Sequence, residues 1–109
     1  NYKNKVLKAN DIATMSTGKR LGHPVRSIKN PYTKEYFKLE YSNISDEELE
    51  AYGRGSLYRA AVEGDEKTGC FLAGQIAGMG NKEQTAKEII EEIFTQAEDV
   101  LKGATKWVK

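Results

Sequence analysis

The longest amphipathic pattern lies at the carboxyl end of the chain. From Ala86 to Trp107 the apolar residues recur at steps of three and four, with glutamates and lysines between them. This is the period of an α-helix with one apolar face. Asn81 is a capping residue type and Gln84 stands in the reciprocal position, so we predict one amphipathic helix over residues 81–109. About half of its circumference requires a partner surface.

The amino-terminal segment shows a similar but shorter pattern. In residues 1–10, Tyr2, Val6 and Leu7 fall on one face of a helix and lysines occupy the other. We interpret the segment as the end of a surface helix. Because Asn1 is not an initiator methionine, we expect the chain to come from a longer protein.

A two-stranded ribbon is predicted next. Residues 11–17 and 24–29 partly alternate apolar and polar side chains, as strands do, and the glycines of residues 18–22 can turn the chain between them. We expect an antiparallel pair that directs Val25 and Ile28 to its buried side.

Three shorter helices are predicted between the ribbon and the last helix. Asn30-Pro31 is a cap followed by the residue favoured at the first helical position. Ser45 and Glu48 form a capping box, with Ile44 and Leu49 placed for a hydrophobic staple. The apolar residues of the first helix are Tyr32, Tyr36, Phe37 and Leu39, possible core or interface residues together with Tyr41. The sequence therefore predicts a mostly helical α+β fold.

The third of these helices covers residues 56–63. We expect Leu57, Ala60 and Ala61 on its packed side and Gly64 as its end. Residues 65–69 are polar and predict a turn.

Composition limits the classes of function. Hydrophobic residues make up 39% of the chain and charged residues 30%, with a net charge of +1, which suits a globular segment. No basic stripe is visible along the sequence, so we expect no nucleic-acid partner. Cys70 and His23 are the only residues of their types, which excludes an intrachain disulfide and a Cys/His metal cluster. The apolar run of residues 70–79 is too short for a membrane span, and we expect a cytoplasmic protein.

Residues 69–78 are the best candidate for a functional segment. Three glycines and two alanines allow close approach of the backbone, and Gln75 offers two donors and an acceptor among apolar neighbours. The segment can face a cofactor, or it can pack tightly against other backbone with Gln75 in solvent. Composition alone favours packing, since small-residue motifs are common.

Isolated polar residues give weaker signals. His23 is a candidate general acid or substrate contact or else a structural loop residue, and no carboxylate partner can be assigned to it. Arg20 and Arg26 can meet an anionic cofactor or an acyl carrier, or simply be solvated. Cys70 has no histidine at a catalytic spacing and is better interpreted as a small buried thiol.

Four segments, taken in order, resemble the C-terminal portion of flavin-dependent enoyl-acyl-carrier-protein reductase II, a branch of the nitronate monooxygenase (2-nitropropane dioxygenase) superfamily. The segments are residues 1–9, the Gly-His-Pro-Val-Arg stretch that begins residues 22–30, residues 61–65, and the Ala-Gly-Gln-Ile-Ala-Gly of residues 73–78. The pairing of the second and fourth favours the reductase over the nitronate monooxygenase branch.

The resemblance implies a fold, a reaction and partners. Members are (β/α)8 TIM-barrel flavoproteins that use FMN and NAD(P)H to reduce trans-2-enoyl thioesters carried by acyl carrier protein in fatty-acid synthesis. Residues 1–10 would end a barrel helix, 11–80 would form a lid-like subdomain and 81–109 a closing helix on the barrel. The partners would be the N-terminal barrel of the parent, the carrier-linked substrate and a second copy in a homodimer.

The resemblance also implies site residues. Leu72, Ala73, Gly74 and Gln75 would approach the FMN edge, and His23 and Arg26 would lie in the lid near substrate or dinucleotide.

No catalytic residue is assigned within the chain, because the family's catalytic histidine and flavin-phosphate loops lie upstream of the matching region. We therefore expect the 109-residue chain alone to be inactive. The alternatives are a nitronate monooxygenase fragment and a non-enzymatic module that binds or dimerises through its last helix.

Overall fold

The computed structural model describes residues 1–80 and 82–108. Its elements are α1 (Tyr2–Leu7), β1 (Thr14–Thr17), β2 (Val25–Ile28), α2 (Pro31–Glu40), α3 (Asp46–Gly53), α4 (Ser56–Tyr58), a π-helix (Arg59–Glu63), a 3₁₀ helix (Gln75–Met79), α5 (Ala86–Ala104) and a final 3₁₀ turn (Thr105–Trp107). The predicted mostly helical α+β fold is confirmed, and the described residues include no barrel.

Strands β1 and β2 form the predicted antiparallel ribbon, in which Thr14 pairs with Ile28 and Thr17 with Val25. Gly18 and Gly22 lie in its turn and have φ angles of +80° and +75°. Residues with a Cβ rarely adopt such angles. The expected burial of Val25 is wrong, because its side chain is 40% exposed while Ile28 is buried. Residues three apart on a strand point to opposite faces.

Helices α2 and α3 begin where the sequence predicts. The Asn30 side chain accepts a hydrogen bond from the Thr33 backbone at 2.9 Å, and the Ser45 hydroxyl accepts one from Glu48. The two helices pack around a cluster of buried residues, namely Tyr32, Tyr36, Leu49 and Cys70. Tyr41, which follows α2, is exposed.

A second core joins α1 to the ribbon. Ile28, Ala60 and Phe71 are buried together, and Tyr2 and Val6 of α1 pack against them. The Tyr2 and Phe71 rings lie 5.1 Å apart between centroids. The predicted apolar face of α1 is therefore confirmed for Tyr2 and Val6, whereas Leu7 is not among the residues that pack against this core.

The segment after α3 differs from its prediction. Ser56 and Ala60 are buried, whereas Leu57 is 53% exposed and Ala61 is also exposed. The widened π-helical turn over Arg59–Glu63 changes which side chains face inward, and Gly64 ends it with φ +64°.

A buried carboxylate fixes the ribbon to α2. Glu40 accepts hydrogen bonds from the backbone N–H groups of Gly18, at 3.1 Å, and Arg20, at 2.8 Å. The Arg20 guanidinium in turn lies 2.8 Å from the Asp46 carboxylate and donates to two carbonyls of the α2–α3 loop. Arg20 is therefore a structural residue in this chain.

Helix α5 begins later than predicted. Thr85 caps it and forms the capping box with Glu88, so that the helix starts at Ala86. The predicted cap Asn81 lies outside the described residues, as does residue 109.

None of the residues of α5 is buried. The Cα radius of gyration is 18.5 Å, against about 13 Å expected for a compact domain of this length. Within residues 1–80 and 82–108, no surface buries the apolar face of α5, so the predicted need for a partner surface remains. Within the described ranges, no helix combines the length and the apolar character needed to cross a bilayer.

Candidate functional site

The candidate loop, defined as Leu72–Gln75, is held at the edge of the ribbon. Ser27 forms an isolated antiparallel bridge with Leu72, and the Ala73 N–H donates to the Arg26 carbonyl at 3.2 Å. On the other side, the Tyr2 hydroxyl donates to the Leu72 carbonyl at 2.6 Å. The backbone of the loop is therefore fixed on both sides before the chain enters the 3₁₀ helix Gln75–Met79.

Two glycines around the candidate loop are required by internal packing. A Cβ at Gly78 would lie 2.6 Å from the carbonyl carbon of Asn10, and one at Gly69 would lie 2.5 Å from the carbonyl oxygen of Asp65. Both distances are shorter than real Cβ contacts. Close backbone packing, one of the two interpretations of residues 69–78, thus explains Gly69 and Gly78.

Gly74 has no such explanation. A Cβ built on it would meet only the Ile76 side chain, at 3.8 Å, and its backbone is in the extended region with φ −72°. Nothing in the described part of the chain requires a glycine there. Gly74 is where a further molecule can approach the backbone closely.

The side chains around Gly74 form an uncovered apolar surface. Leu72, Ile76 and Met79 are 39%, 71% and 75% exposed, and the Gln75 amide is exposed among them. Met79 also lines a shallow depression with Ile89 and Ile93 of α5. Met79, four residues beyond the candidate loop, therefore lies beside the apolar face of α5.

The structure separates the two predicted lid residues. Arg26 is exposed on β2, next to the candidate loop, and its guanidinium donates to the Thr14 hydroxyl at 3.1 Å. His23 is exposed in the ribbon turn, where its backbone N–H donates a hydrogen bond to the Gly18 carbonyl. Only Arg26 is brought close to Leu72–Gln75.

Burial raises the pKa values of Cys70 and Tyr32, which belong to the same buried cluster. It raises the pKa of the Cys70 thiol, which fits the predicted role as a small buried thiol rather than a nucleophile. It also raises the pKa of Tyr32 to about 12. Among the described residues, no group of three or more His, Cys, Asp or Glu side chains could hold a metal ion.

Sequence reasoning missed the contribution of Tyr2, Ile76 and Met79. Tyr2 is separated from Leu72 by 70 positions, and no local pattern links its hydroxyl to that carbonyl. Ile76 and Met79 lie within the apolar run and resemble core residues by type; only their exposure in the fold distinguishes them.

Comparison with known proteins gives one clear likeness. No family model and no curated protein sequence matches the chain. Among solved structures, it matches FabK from Thermotoga maritima with a TM-score of 0.91 and 34% identity, over 98% of this chain and 34% of that one. A point mutant of the same FabK gives a TM-score of 0.79 and 31% identity, over 98% of this chain and 31% of that one.

These matches define the class of protein to which the chain is related. The resemblance to the C-terminal portion of enoyl-acyl-carrier-protein reductase II is confirmed, since fold and sequence agree over nearly the whole chain. The chain is similar to FabK in particular, and it spans about a third of the length of the FabK structures that it matches.

Proposed function

We propose that the chain is part of an FMN-dependent enoyl-acyl-carrier-protein reductase, which uses NAD(P)H to reduce trans-2-enoyl thioesters in fatty-acid synthesis. The match to FabK supports the reaction class. The observation that carries the assignment of the candidate loop is Gly74, a glycine that the fold holds in place and does not itself need.

The residues present fit one edge of a flavin and no more. Leu72 offers an apolar contact for a flat ring, Gly74 allows close approach, and the Gln75 amide can meet a ring carbonyl or N–H. The described residues include no glycine-rich phosphate-binding loop, so the rest of the flavin site would come from a part of the protein beyond these residues. FMN, when bound, supplies the hydride-transfer chemistry.

Residues of this chain would position the flavin ring and shield its edge from water. Leu72, together with Ile76, would exclude water from the flavin edge, and Gln75 would orient the ring by hydrogen bonding. The hydrogen bond from Tyr2 to the Leu72 carbonyl would keep the loop in register with α1. Arg26 would lie near an anionic substrate or dinucleotide, with His23 farther along the lid.

The parts of the chain would then divide by role. Residues 1–10 would end a barrel helix, residues 11–80 would form the lid-like subdomain, and residues 81–109 would close over the (β/α)8 barrel. The bare apolar face of α5 supports this arrangement, because it requires a surface that the chain does not provide. A cytoplasmic homodimer is part of the same proposal.

An assay of the full-length protein tests the proposed reaction. With NAD(P)H, it should reduce a crotonyl thioester and bind FMN, while the 109-residue chain alone should show no turnover and at most weak FMN binding. Oxidation of propionate 3-nitronate by oxygen, without reduction of the thioester, would instead show the nitronate monooxygenase branch. A flavin-free oligomer with neither activity would favour the helical binding module.

The candidate loop is tested by substitution. Gln75→Ala in the full-length protein should weaken FMN binding about tenfold, as expected for the loss of a hydrogen bond in a closed site. Gln96→Ala on α5, where the amide donates to Glu92 at 3.0 Å, is the matched control and should leave FMN affinity unchanged. Equal FMN affinities of the two variants would remove Gln75 from the site.

A further inference from the structure

Lysines from several separate elements converge on one face of the molecule. Two shallow clefts, of about 420 and 690 Å³, share Lys5, Lys29 and Glu66 in their walls. We call this face the lysine surface; its lysines are Lys5, Lys8, Lys29, Lys34, Lys38 and Lys67. The sequence showed no basic stripe because these residues are dispersed over some sixty positions and are brought together only by the fold.

The lysine surface carries a larger net positive charge than the whole chain. Glu35 and Glu66 are the only carboxylates that line the two clefts, so the surface bears a net charge of +4 on a chain whose total is +1. Glu66 lies 3.1 Å from Lys5, and Glu35 lies 3.3 Å from Lys38.

The remaining lysines of this surface are available to a partner in different degrees. Lys29 donates to the Ile12 carbonyl at 2.7 Å. Lys8, Lys34 and Lys67 make no ion pair with any residue that the structure describes.

Helix α2 adds to this potential. Its first residue, Pro31, and its cap, Asn30, line the larger cleft beside Lys34 and Lys67. The amino-terminal end of a helix carries a partial positive charge that acts in the same direction as the lysines. An exposed Ile12, at the rim of the smaller cleft, supplies an apolar contact of the kind that protein interfaces combine with charge.

We propose that the lysine surface docks an acidic protein surface, that of the carrier that delivers the enoyl thioester. The proposal rests on the proposed function for the identity of the partner. The lysine surface also contains two carboxylates and has an apolar residue at its rim. These features favour a protein partner, because the continuous phosphate backbone of a nucleic acid would be repelled by both carboxylates. Complementary charge of this kind accelerates encounter and fixes the register of docking.

Direct binding to the 109-residue chain tests the docking surface without any enzymatic readout. Unacylated acyl carrier protein, followed by fluorescence anisotropy at low salt, should bind, and the Lys34→Glu/Lys67→Glu variant should bind at least about tenfold more weakly. The control is Lys87→Glu/Lys102→Glu, which makes the same change of net charge at two exposed lysines of α5. Circular dichroism verifies that both variants fold.

Each binding outcome decides the proposal. Loss of affinity confined to the first variant, and loss of binding as salt rises to about 0.3 M, supports the lysine surface. Equal affinities of the two variants, or no binding by the unsubstituted chain at low salt, overturns it. Tighter binding of a DNA oligomer than of the carrier protein would also overturn the proposal, in favour of a nucleic-acid surface.

A comparison of substrates separates this proposal from the proposed function. In the full-length protein, Lys34→Glu/Lys67→Glu should raise KM about tenfold for a carrier-linked crotonyl thioester and leave kcat/KM for the coenzyme A thioester within about twofold. An equal loss with both thioesters would contradict docking. Carrier binding that depends on Lys34 and Lys67, in a protein with no reductase activity, would sustain the docking surface while the proposed reaction fails.

Discussion

Gly74 and Gly78 lie four positions apart, and their surroundings in the fold differ. Gly78 is in contact with the Asn10 backbone, whereas the space beside Gly74 is open. Composition gives both the same appearance, which is why the sequence left packing and cofactor contact as alternatives. The fold shows that close packing requires Gly78 and that the space beside Gly74 is open, where contact with a cofactor stays a proposal.

We expect Gly78→Ala to destabilise the chain by about 1–3 kcal/mol, because its Cβ would force the α1–β1 loop and the 3₁₀ helix apart. Gly74→Ala is the matched control and should change the free energy of unfolding by less than about 0.5 kcal/mol. Urea denaturation of the two variants measures both. Equal effects would mean that the packing assigned to Gly78 is wrong.

Tyr32 gives a prediction at alkaline pH. Burial raises its pKa to about 12 in the folded chain, from the ordinary value of 10.0. The stability that its neutral phenol contributes is therefore complete below pH 10 and is lost as the pH rises from 10 to about 12. Phenolate absorbance should show a late step near pH 12 that Tyr32→Phe removes. Complete ionisation of all tyrosines below about pH 11 would contradict this.

Among the elements, α2 and α3 were predicted from their capping signals, whereas α5 was predicted to start at Asn81 although Thr85 and Glu88 form its capping box. Features set by distant contacts were not predicted. Asn30-Pro31 and the Ser45–Glu48 box fix helix starts through local hydrogen bonds that the sequence displays. The face presented by residues 56–63 depends on a π-helical turn, which leaves no periodic signal. The lysine surface joins residues of α1, the end of β2, α2 and the turn at Lys67, and no window of the sequence contains it.

The candidate site divides in the same way. The unusual small residues of Leu72–Gln75 mark the loop in the sequence, and the resemblance gave it a role that remains a proposal. Its anchoring by Tyr2 and its exposed neighbours Ile76 and Met79 arise from contacts between remote segments. Local patterns cannot show such contacts.

Two of the three capping boxes among the described helices, those of α3 and α5, provide a test at the scale of elements. Ser45→Ala should lower the free energy of unfolding by about 1 kcal/mol, because α3 anchors the buried Leu49 in the core. Thr85→Ala removes an equivalent box from α5, whose residues are all outside the core, and should reduce helicity without moving the unfolding transition. Circular dichroism and urea denaturation distinguish the two. An equal shift of the transition would show that α5 packs on the chain.

At the scale of the whole molecule, the principal extents of 60 × 33 × 18 Å describe a body with a helix that extends from it. Apolar residues of α5, of the candidate loop and of the 3₁₀ helix after it are exposed, and Met79 shares a depression with Ile89 and Ile93 of α5. A solvent-exposed patch of this kind is typical of an interface, which agrees with a chain that spans about a third of its structural relatives.

The central claim is that protein outside these 109 residues covers α5 and the candidate loop. Hydrogen exchange measured on the isolated chain and on the full-length protein tests it directly. The backbone amides of α5 and of residues 72–76 should exchange at least about a hundredfold more slowly in the full-length protein, while those of α2 change little. Equal exchange of the α5 amides in both proteins would contradict the claim.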